Sequence, residues 1–504
     1  MYEHNAKQMI LPHEFFLPFG GHLNPDNRWV RMASVIPWAD LEEAYLESLG
    51  DPNQGSKAYT VQLALGALII KERLRLSDEE TVEAITENPY MQYFIGLPAF
   101  QETPPFHASS LTHFRKRFNA DLVNQVNESI TAAHRKPANP KDSDGPDDDE
   151  PRGGSGSPAA KPEARRPEES APIYKQGKLL IDATCAPSDI AYPTDIGLLN
   201  QAREKLETMI DRLHAKRGHG SKKPRTYRRK ARKEYLALSK QRKPGYEKIQ
   251  ACLKGQLSYV RRDLKHVEDL ANEVGLDRLT RAQYKDLLVI QELFRQQTIL
   301  FEGDTHSIQD RVVSIAQPYI RPIVRGKAKA SVEFGAKLSV SLVDGYAYLE
   351  TLQWDAYNEG TLLKDAILAY KERFGHYPEA VLADTIYRTR DNRKFCQELG
   401  IRLSGPKLGR PAKDQHVRAE QKKLEKQDHG ERNAIEGKFG EGKRAYGLGL
   451  IRTRLQTTSE TTIALQLVIM NLEKILRDTF LSFFLHSIEK SERLFSKKLI
   501  LKVA

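Results

Sequence analysis

Two short apolar runs in this sequence each end on an aspartate. Leu179–Ile181 is followed by Asp182, and Ala380–Ala383 by Asp384. Uninterrupted apolar runs of this length predict strands buried on both faces. A carboxylate next to such a strand is costly unless its charge is compensated. A shared divalent cation is one compensation, and a third carboxylate would complete its ligands. That carboxylate is sought in Arg432-NAIEGKFGEGK-Lys443, where Arg432, Glu436 and Lys443 share one helical face. An oxygen-only set of this kind suits Mg2+. Two such ions about 4 Å apart can activate a nucleophile and stabilise a leaving oxygen in phosphodiester chemistry. Arg432 and Lys443 would then hold phosphates. A plainer reading stands beside this one: strand-end Asp residues form turns, and Glu436 serves as an exposed ion-pair partner. Gly437, Gly440 and Gly442 weaken the helix. His113 and His429 are given no catalytic role.

The composition narrows the class. With 504 residues, two to four domains are expected at about 150 residues each. Hydrophobic residues at 39% and charged residues at 29% are ordinary for a soluble protein. No apolar stretch reaches the roughly 18 residues of a spanning helix, and MYEHNAKQMI lacks the pattern of a secretory leader. Three distant cysteines, Cys185, Cys252 and Cys396, exclude a disulfide framework and suit a reducing cytosol. Lys and Arg number 78 against 67 Asp and Glu, a net charge of +11. That excess favours a polyanionic partner, above all nucleic acid, and argues against a paired-carboxylate glycosidase acting on neutral sugars.

The elements that must position these residues follow from the pattern. Residues 136–171 are rich in Pro, Gly, Ser and charge and are expected to be a disordered linker. Before it, residues 1–135 read as helical. Tyr59–Leu74 has helical spacing, and Ser77-Asp-Glu-Glu80 is a capping box opening a helix over Glu79–Asn88. A further helix from Ser109 or Ser110 carries Leu111, Phe114, Phe118 and Leu122 on one face, with Arg115, Lys116 and Arg117 around it. These helices fit either a helix-turn-helix DNA reader or a bundle with a solvated basic edge. After the linker, apolar seams at Leu199–Leu213 and Leu253–Val274 predict a helical hairpin or small coiled coil. Between the seams, Arg228, Arg229, Lys230, Arg232 and Lys233 sit with Tyr227 and Tyr235, as a phosphate-contact surface would. A solvated basic loop is the alternative. Strands are expected at Ala330–Leu342 and Gly345–Trp354, joined at Asp344-Gly345. A helix over Glu359–Phe374, a helix over Asn392–Leu399, a strand at Ile401–Ser404, a loop-like start to Lys407–Lys426 and a helix over Thr461–Phe484 complete the reading.

Together these residues resemble the DDE transposases of bacterial insertion sequences, of the insertion-sequence-five type. ADTIY at 383–387 resembles their A-D-x-x-Y segment, and IDAT at 181–184 their first-Asp strand. Arg432, Glu436 and Lys443 match the Y-(2)-R-(3)-E-(6)-K signature, although His429 holds the Tyr position. PPFHASSLTHFRKRF at 104–118 is similar to the end of an InsH-type N-terminal domain, and IALQLVIMNLEKIL is similar to their C-terminal helix. The resemblance implies an α/β fold. Its ribonuclease-H-like core, a mixed sheet flanked by helices, would span 172–486 with a basic helical insertion at 195–301. An all-α DNA-binding domain would occupy 1–135, and residues 487–504 stay unassigned. It implies Asp182, Asp384 and Glu436 as catalytic ligands of two Mg2+ ions, with Mn2+ as a substitute. Arg432, Lys443, Arg115, Lys116, Arg117, Arg228, Arg229, Lys230, Arg232 and Lys233 would contact DNA. The partners implied are terminal inverted repeats and target DNA, with a homodimer holding two ends in the bacterial cytoplasm, at the nucleoid. A related metal-dependent nuclease and an inactive DNA-binding derivative are the competing readings.

Overall fold

The computed structural model describes residues 11–17, 20–49, 58–135, 174–217, 222–305, 307–327, 330–409 and 414–503. Side chains at 325–331 and beyond 480 are not described, and the expected linker lies outside the described residues.

Among the described residues, seven helices come first: α1 (Arg28–Val35), α2 (Trp38–Glu47), α3 (Val61–Leu74), α4 (Asp78–Glu87), α5 (Pro89–Phe94), α6 (Ser110–Arg117) and α7 (Ala120–His134). Their starts are set by side chains. Thr60 accepts from the Leu63 amide, and Ser77 and Glu80 close the expected capping box. The single helix expected over Leu111–Leu122 is instead two. Asn119 takes an extended backbone and caps the Leu122 amide, so the chain turns between α6 and α7. Leu111, Phe114, Phe118 and Leu122 are nevertheless all buried.

Strand β1 (Lys178–Pro187) is longer than its apolar run suggests, so Asp182 sits inside a strand rather than at its end. Next come α8 (Asp195–Lys216), α9 (Arg228–Ser239), α10 (Tyr246–Val274) and α11 (Arg281–Glu302). α8, α10 and α11 have a hydrophobic core of their own, with Leu206, Met209, Val260, Val267, Ile290 and Leu293 inside it, and α9 lies against α8 and α10. Strand β2 (Arg321–Lys327), unforeseen from the sequence, precedes β3 (Ala330–Val343) and β4 (Tyr346–Gln353). Asp344 and Gly345 link β3 and β4 with φ of 53° and 81°, the paired positive values that a tight hairpin turn requires. A 3-10 turn at Glu359–Leu362 leads into α12 (Leu363–Phe374). Then come β5 (Ala380–Ala383), a 3-10 turn at Thr385–Tyr387, α13 (Arg390–Glu398) and β6 (Arg402–Leu403). The last helices are α14 (Gln415–Ala445) and α15 (Gln456–Val503). The loop expected over the first part of Lys407–Lys426 gives way to helix at Gln415, where Asp414 caps the His416 amide.

The sheet is mixed. Its strands run β2-β3-β1-β5-β6, with β4 also paired to β3. The pairs of β3 with β1, β2 and β4 are antiparallel, whereas β1–β5 and β5–β6 are parallel. Helices flank the sheet. α15 lies against α7, α3 and β4, and its buried Asn471 ties α7 and β4 to it. Asn471 accepts from the Ala347 amide and donates to both the Ala347 carbonyl and the Asn127 side chain. Residues 11–135 therefore share one hydrophobic core with the sheet, although a long segment separates them in sequence.

Candidate active site

The site begins with strand register. Ile181 on β1 pairs with Ala383 on β5, and the strands are parallel. The next residue on each is therefore Asp182 and Asp384, level with one another where β5 ends. The Asp384 side chain caps the turn that follows by accepting from the Thr385 amide at 2.7 Å. The Asp182 side chain accepts from the Ala183 amide at 2.8 Å. Asp182 is the less exposed of the two, and burial pushes its carboxyl up to about 6, with the negative charges of Glu359 and Asp384 adding to the effect.

Helix α14 supplies the third side of the site. It is pinned across the sheet by Glu431 accepting from Lys178 and by Asp428 accepting from both guanidinium nitrogens of Arg402. This seats Arg432 over β1. One of its nitrogens lies 3.8 Å from Asp182, and another donates to Glu436 at 2.9 Å. Arg432 thus bridges two of the three expected carboxylates. The Glu436 side chain stays 54% exposed against 18% for Asp182. Lys443 is half-buried near the end of the same helix, and His429 is exposed. Among the described residues, no three acidic, His or Cys side chains are gathered closely enough to hold a metal ion.

Three further residues shape the site without having been read from the sequence. Glu359 starts the turn before α12 and pairs with Lys337 of β3 at 2.8 Å. Its charge acts on Asp182 and on the buried Tyr387, whose hydroxyl burial has already raised well above its ordinary range. Asn392 is buried and donates to the carbonyls of Gly360 and Tyr387, locking the Glu359 and Asp384 turns to each other. The fit is close enough that a Cβ on Gly360 would come within 2.5 Å of the Ile386 carbonyl oxygen. Arg388 reaches back to the Ala383 carbonyl. Burial and the cations Arg393 and Arg432 depress its pKa, against the pull of Asp384. The only sequence sign of Glu359 is Lys337, a charge in a largely apolar strand that needs a partner.

The expected DNA-contact cations outside α14 divide into two groups. Arg115 makes two hydrogen bonds to Asp78, Arg117 donates to the Tyr45 hydroxyl, and Arg228 makes two hydrogen bonds to Asp211. These three hold the protein's own structure. Lys116, Arg229, Lys230, Arg232 and Lys233 are exposed. Arg229, Arg232 and Lys233 line a shallow groove on α9 with Lys240. The α6 helix, expected as a possible DNA reader, presents Lys116 as its one exposed Lys or Arg.

Residues 381–473 match the Transposase DDE domain, and residues 18–117 match the Transposase domain (DUF772). The first match holds Asp384, Arg432, Glu436 and Lys443 and leaves Asp182 outside. A protein described as "Uncharacterized protein ORF8 in nfe locus" from Rhizobium meliloti is 31% identical over 215 residues, covering 42% of this chain and 83% of that protein. No solved structure gives a significant match. The chain belongs to the DDE transposases of insertion sequences. It is therefore a transposase-type enzyme, and its partner is DNA. None of the described helices is long and apolar enough to cross a membrane.

Proposed function

We propose that this transposase binds the inverted repeats of its own insertion sequence, hydrolyses the phosphodiester at each end, and joins the freed 3′-hydroxyl to target DNA. The observation that carries this reading is the level placement of Asp182 and Asp384 on neighbouring parallel strands, with the Arg432–Glu436 turn of α14 laid against Asp182. The sheet supports a ribonuclease-H-like core: across β4-β3-β1 it is antiparallel, and across β1-β5-β6 it is parallel.

The chemistry of the donor set fits divalent metal, although the three carboxylates are not gathered around one point in this structure. Its oxygens are those Mg2+ takes, and burial, the main cause of the raised pKa of Asp182, makes that charge costly without a cation beside it. Asp182, Asp384 and Glu436 would hold the ions, with Glu436 exchanging its Arg432 partner for one, and Mn2+ would serve in place of Mg2+. Bound ions supply activation of water and stabilisation of the departing 3′-oxygen. Arg432, once released by Glu436, turns to phosphate, and Lys443 binds phosphate further along the same face. Asn392 holds the Asp384 and Glu359 turns at fixed spacing. The exposed cations Lys116, Arg229, Lys230, Arg232 and Lys233 hold the duplex backbone, while Arg115, Arg117 and Arg228 keep those surfaces in shape. Two ends must be joined, so the working form is a homodimer on DNA, in the bacterial cytoplasm.

The test is Asp384→Asn, assayed by gel shift and by strand cleavage on labelled terminal DNA, with Mg2+ and with EDTA. An amide oxygen can still cap the Thr385 amide, so the turn is kept while the charge is lost. Wild type should cut only with metal, and the variant should bind without cutting. Normal cleavage by the variant would remove Asp384 from the site. Binding without cleavage by wild type would favour a non-catalytic DNA-binding protein.

A further inference from the structure

The first half of α14 has no evident structural purpose. Between Gln415 and Gln427 the helix buries no residue, and its buried positions begin at Asp428. Thirteen residues of helix extend about 20 Å. A helix segment that buries no residue gains little from tertiary contacts, which ordinarily supply most helical stability. Its cations are also uncommitted. Arg418, Lys422, Lys423 and Lys426 are exposed, and among the described residues none has a carboxylate within ion-pair distance. Arg115 and Arg228, in contrast, are paired.

The helical phase gives these cations a direction. Arg418, Lys422, His429, Arg432, Glu436 and Lys443 follow at steps of four, seven, three, four and seven residues, which places them on one face. Arg432 fixes that face against Asp182. Lys423 lies well away from it. Val417 and Leu424 instead continue the inner line of Asp428, Ile435 and Gly442, and they are 39% and 41% exposed.

We infer that the overhanging half of α14 is a rail for the DNA backbone, on which Arg418 and Lys422 grip phosphates of the duplex leading into the active site. This rests on the reading of Asp182, Asp384 and Glu436 as the DNA-cutting site. Lys422 and Arg418 lie 14 and 18 residues before Glu436, about 21 and 27 Å at the helical rise. At about 3.4 Å per base pair, those phosphates lie roughly 6–8 base pairs from the reacting bond. Flexible cationic side chains spaced along one rigid element suit phosphates, which carry position but no sequence.

The experiment uses the full chain and a labelled duplex carrying the inverted repeat beside the gene. Binding is measured across a salt series, and phosphate contacts are mapped by ethylation interference. The Arg418→Ala/Lys422→Ala double variant should flatten the slope of log affinity against log salt by about 1.8, two contacts at about 0.9 each. It should lose interference roughly 6–8 base pairs from the cleavage position and keep that position unchanged. Arg418→Lys/Lys422→Arg should restore the slope, and Lys423→Ala should leave it intact. A double variant with the wild-type slope and interference pattern overturns the rail, as does an equal loss from Lys423→Ala. A double variant that binds DNA normally but dissociates into monomers overturns it in favour of a protein partner along Val417 and Leu424. Wild type that fails to hold its own terminal duplex would overturn the functional reading and the rail together; wild-type binding with an unaltered double variant would sink the rail alone.

Discussion

Replacing Asp182 by Asn should make the metal-free protein more stable while ending its activity. Burial, with Glu359 and Asp384 nearby, moves this carboxyl from 3.8 to about 6. At about 1.4 kcal/mol per pH unit, that gap opposes folding by about 3 kcal/mol at neutral pH. The attraction of Arg432 is already included in this net shift. Asn introduces an amide with unmet hydrogen bonds, which takes back part of the gain, so about 1–3 kcal/mol is expected. The sign follows from linkage. The folded-state pKa lies above the unfolded one, so the folded protein binds the proton more readily. The penalty is complete above about pH 6, shrinks as pH falls, and is gone below about pH 3.8. The measurement is the unfolding midpoint of wild type and Asp182→Asn in EDTA at several pH values between 4 and 7.5. The variant should unfold later at pH 7.5, and its advantage should be gone near pH 4. Adding Mg2+ should raise the wild-type midpoint and leave the variant's where it was, since an ion that binds only the folded state stabilises it. A variant less stable than wild type at pH 7.5, or an advantage that does not change with pH, would refute the electrostatic account of Asp182.

Other outcomes follow from particular contacts. Arg115→Ala should lower stability by about 2 kcal/mol, because it removes two charged hydrogen bonds from a part-buried Asp78, and DNA affinity of the folded protein should be unchanged in a gel shift. Burial works against the Asp78 charge, yet Arg115 and Lys71 outweigh it and hold the carboxyl below its ordinary range. The stability it contributes is therefore present above pH 4 in wild type and lost as pH falls further, and a denaturant series in acid should show this dependence weakened in Arg115→Ala. Asn471→Ala should cost about 1–3 kcal/mol by leaving the Ala347 amide and the Asn127 side-chain oxygen without their Asn471 partner in the core, seen as an earlier thermal transition. Gly442→Val should be worse tolerated than Gly437→Val. A Cβ at Gly442 would come within 2.6 Å of Leu448 and 3.1 Å of the Met470 sulfur, whereas one at Gly437 meets nothing within 4 Å; soluble yield and unfolding midpoint would separate them.

Sequence pattern reached some parts of this molecule and not others, for physical reasons. β5 was legible because it is buried on every residue and so carries an unbroken apolar run. The β3–β4 hairpin was legible because Asp-Gly suits the left-handed turn it makes. Helix α4 was legible from its capping box. β1 was legible only as far as Ile181. Its continuation through Thr184 and Pro187 is held on one side by β3, in register with Leu338 and Gly335, and a pairing so distant in sequence leaves no local signature. β2 was hidden because Pro322 and Gly326 weaken strand preference. The start of α14 was hidden because its few apolar residues, Val417, Ala419 and Leu424, are too sparse among charged neighbours to mark a helical period. In the site, Asp182, Asp384, Arg432 and Glu436 were marked by strand ends and helical spacing. Glu359, Arg388 and Asn392 act through turn-to-turn contacts that only the folded chain creates.

Arg432 explains how the fold tolerates its own site. Two carboxylates level on adjacent strands, with Glu359 close by, concentrate negative charge where burial is already raising the pKa of Asp182. The protein answers with a single guanidinium shared between Asp182 and Glu436. The backbone beneath that guanidinium is firmly placed. Asp428 and Glu431, just before it, are tied to Arg402 and Lys178, and Ile435, just after it, is fully buried. Arg432 and Glu436 can therefore change partners by rotating side chains, without shifting the helix. A long side chain turning in place reorganises far less than a moving element would, so the same frame serves a site compensated by its own arginine and one compensated by bound cations and phosphate.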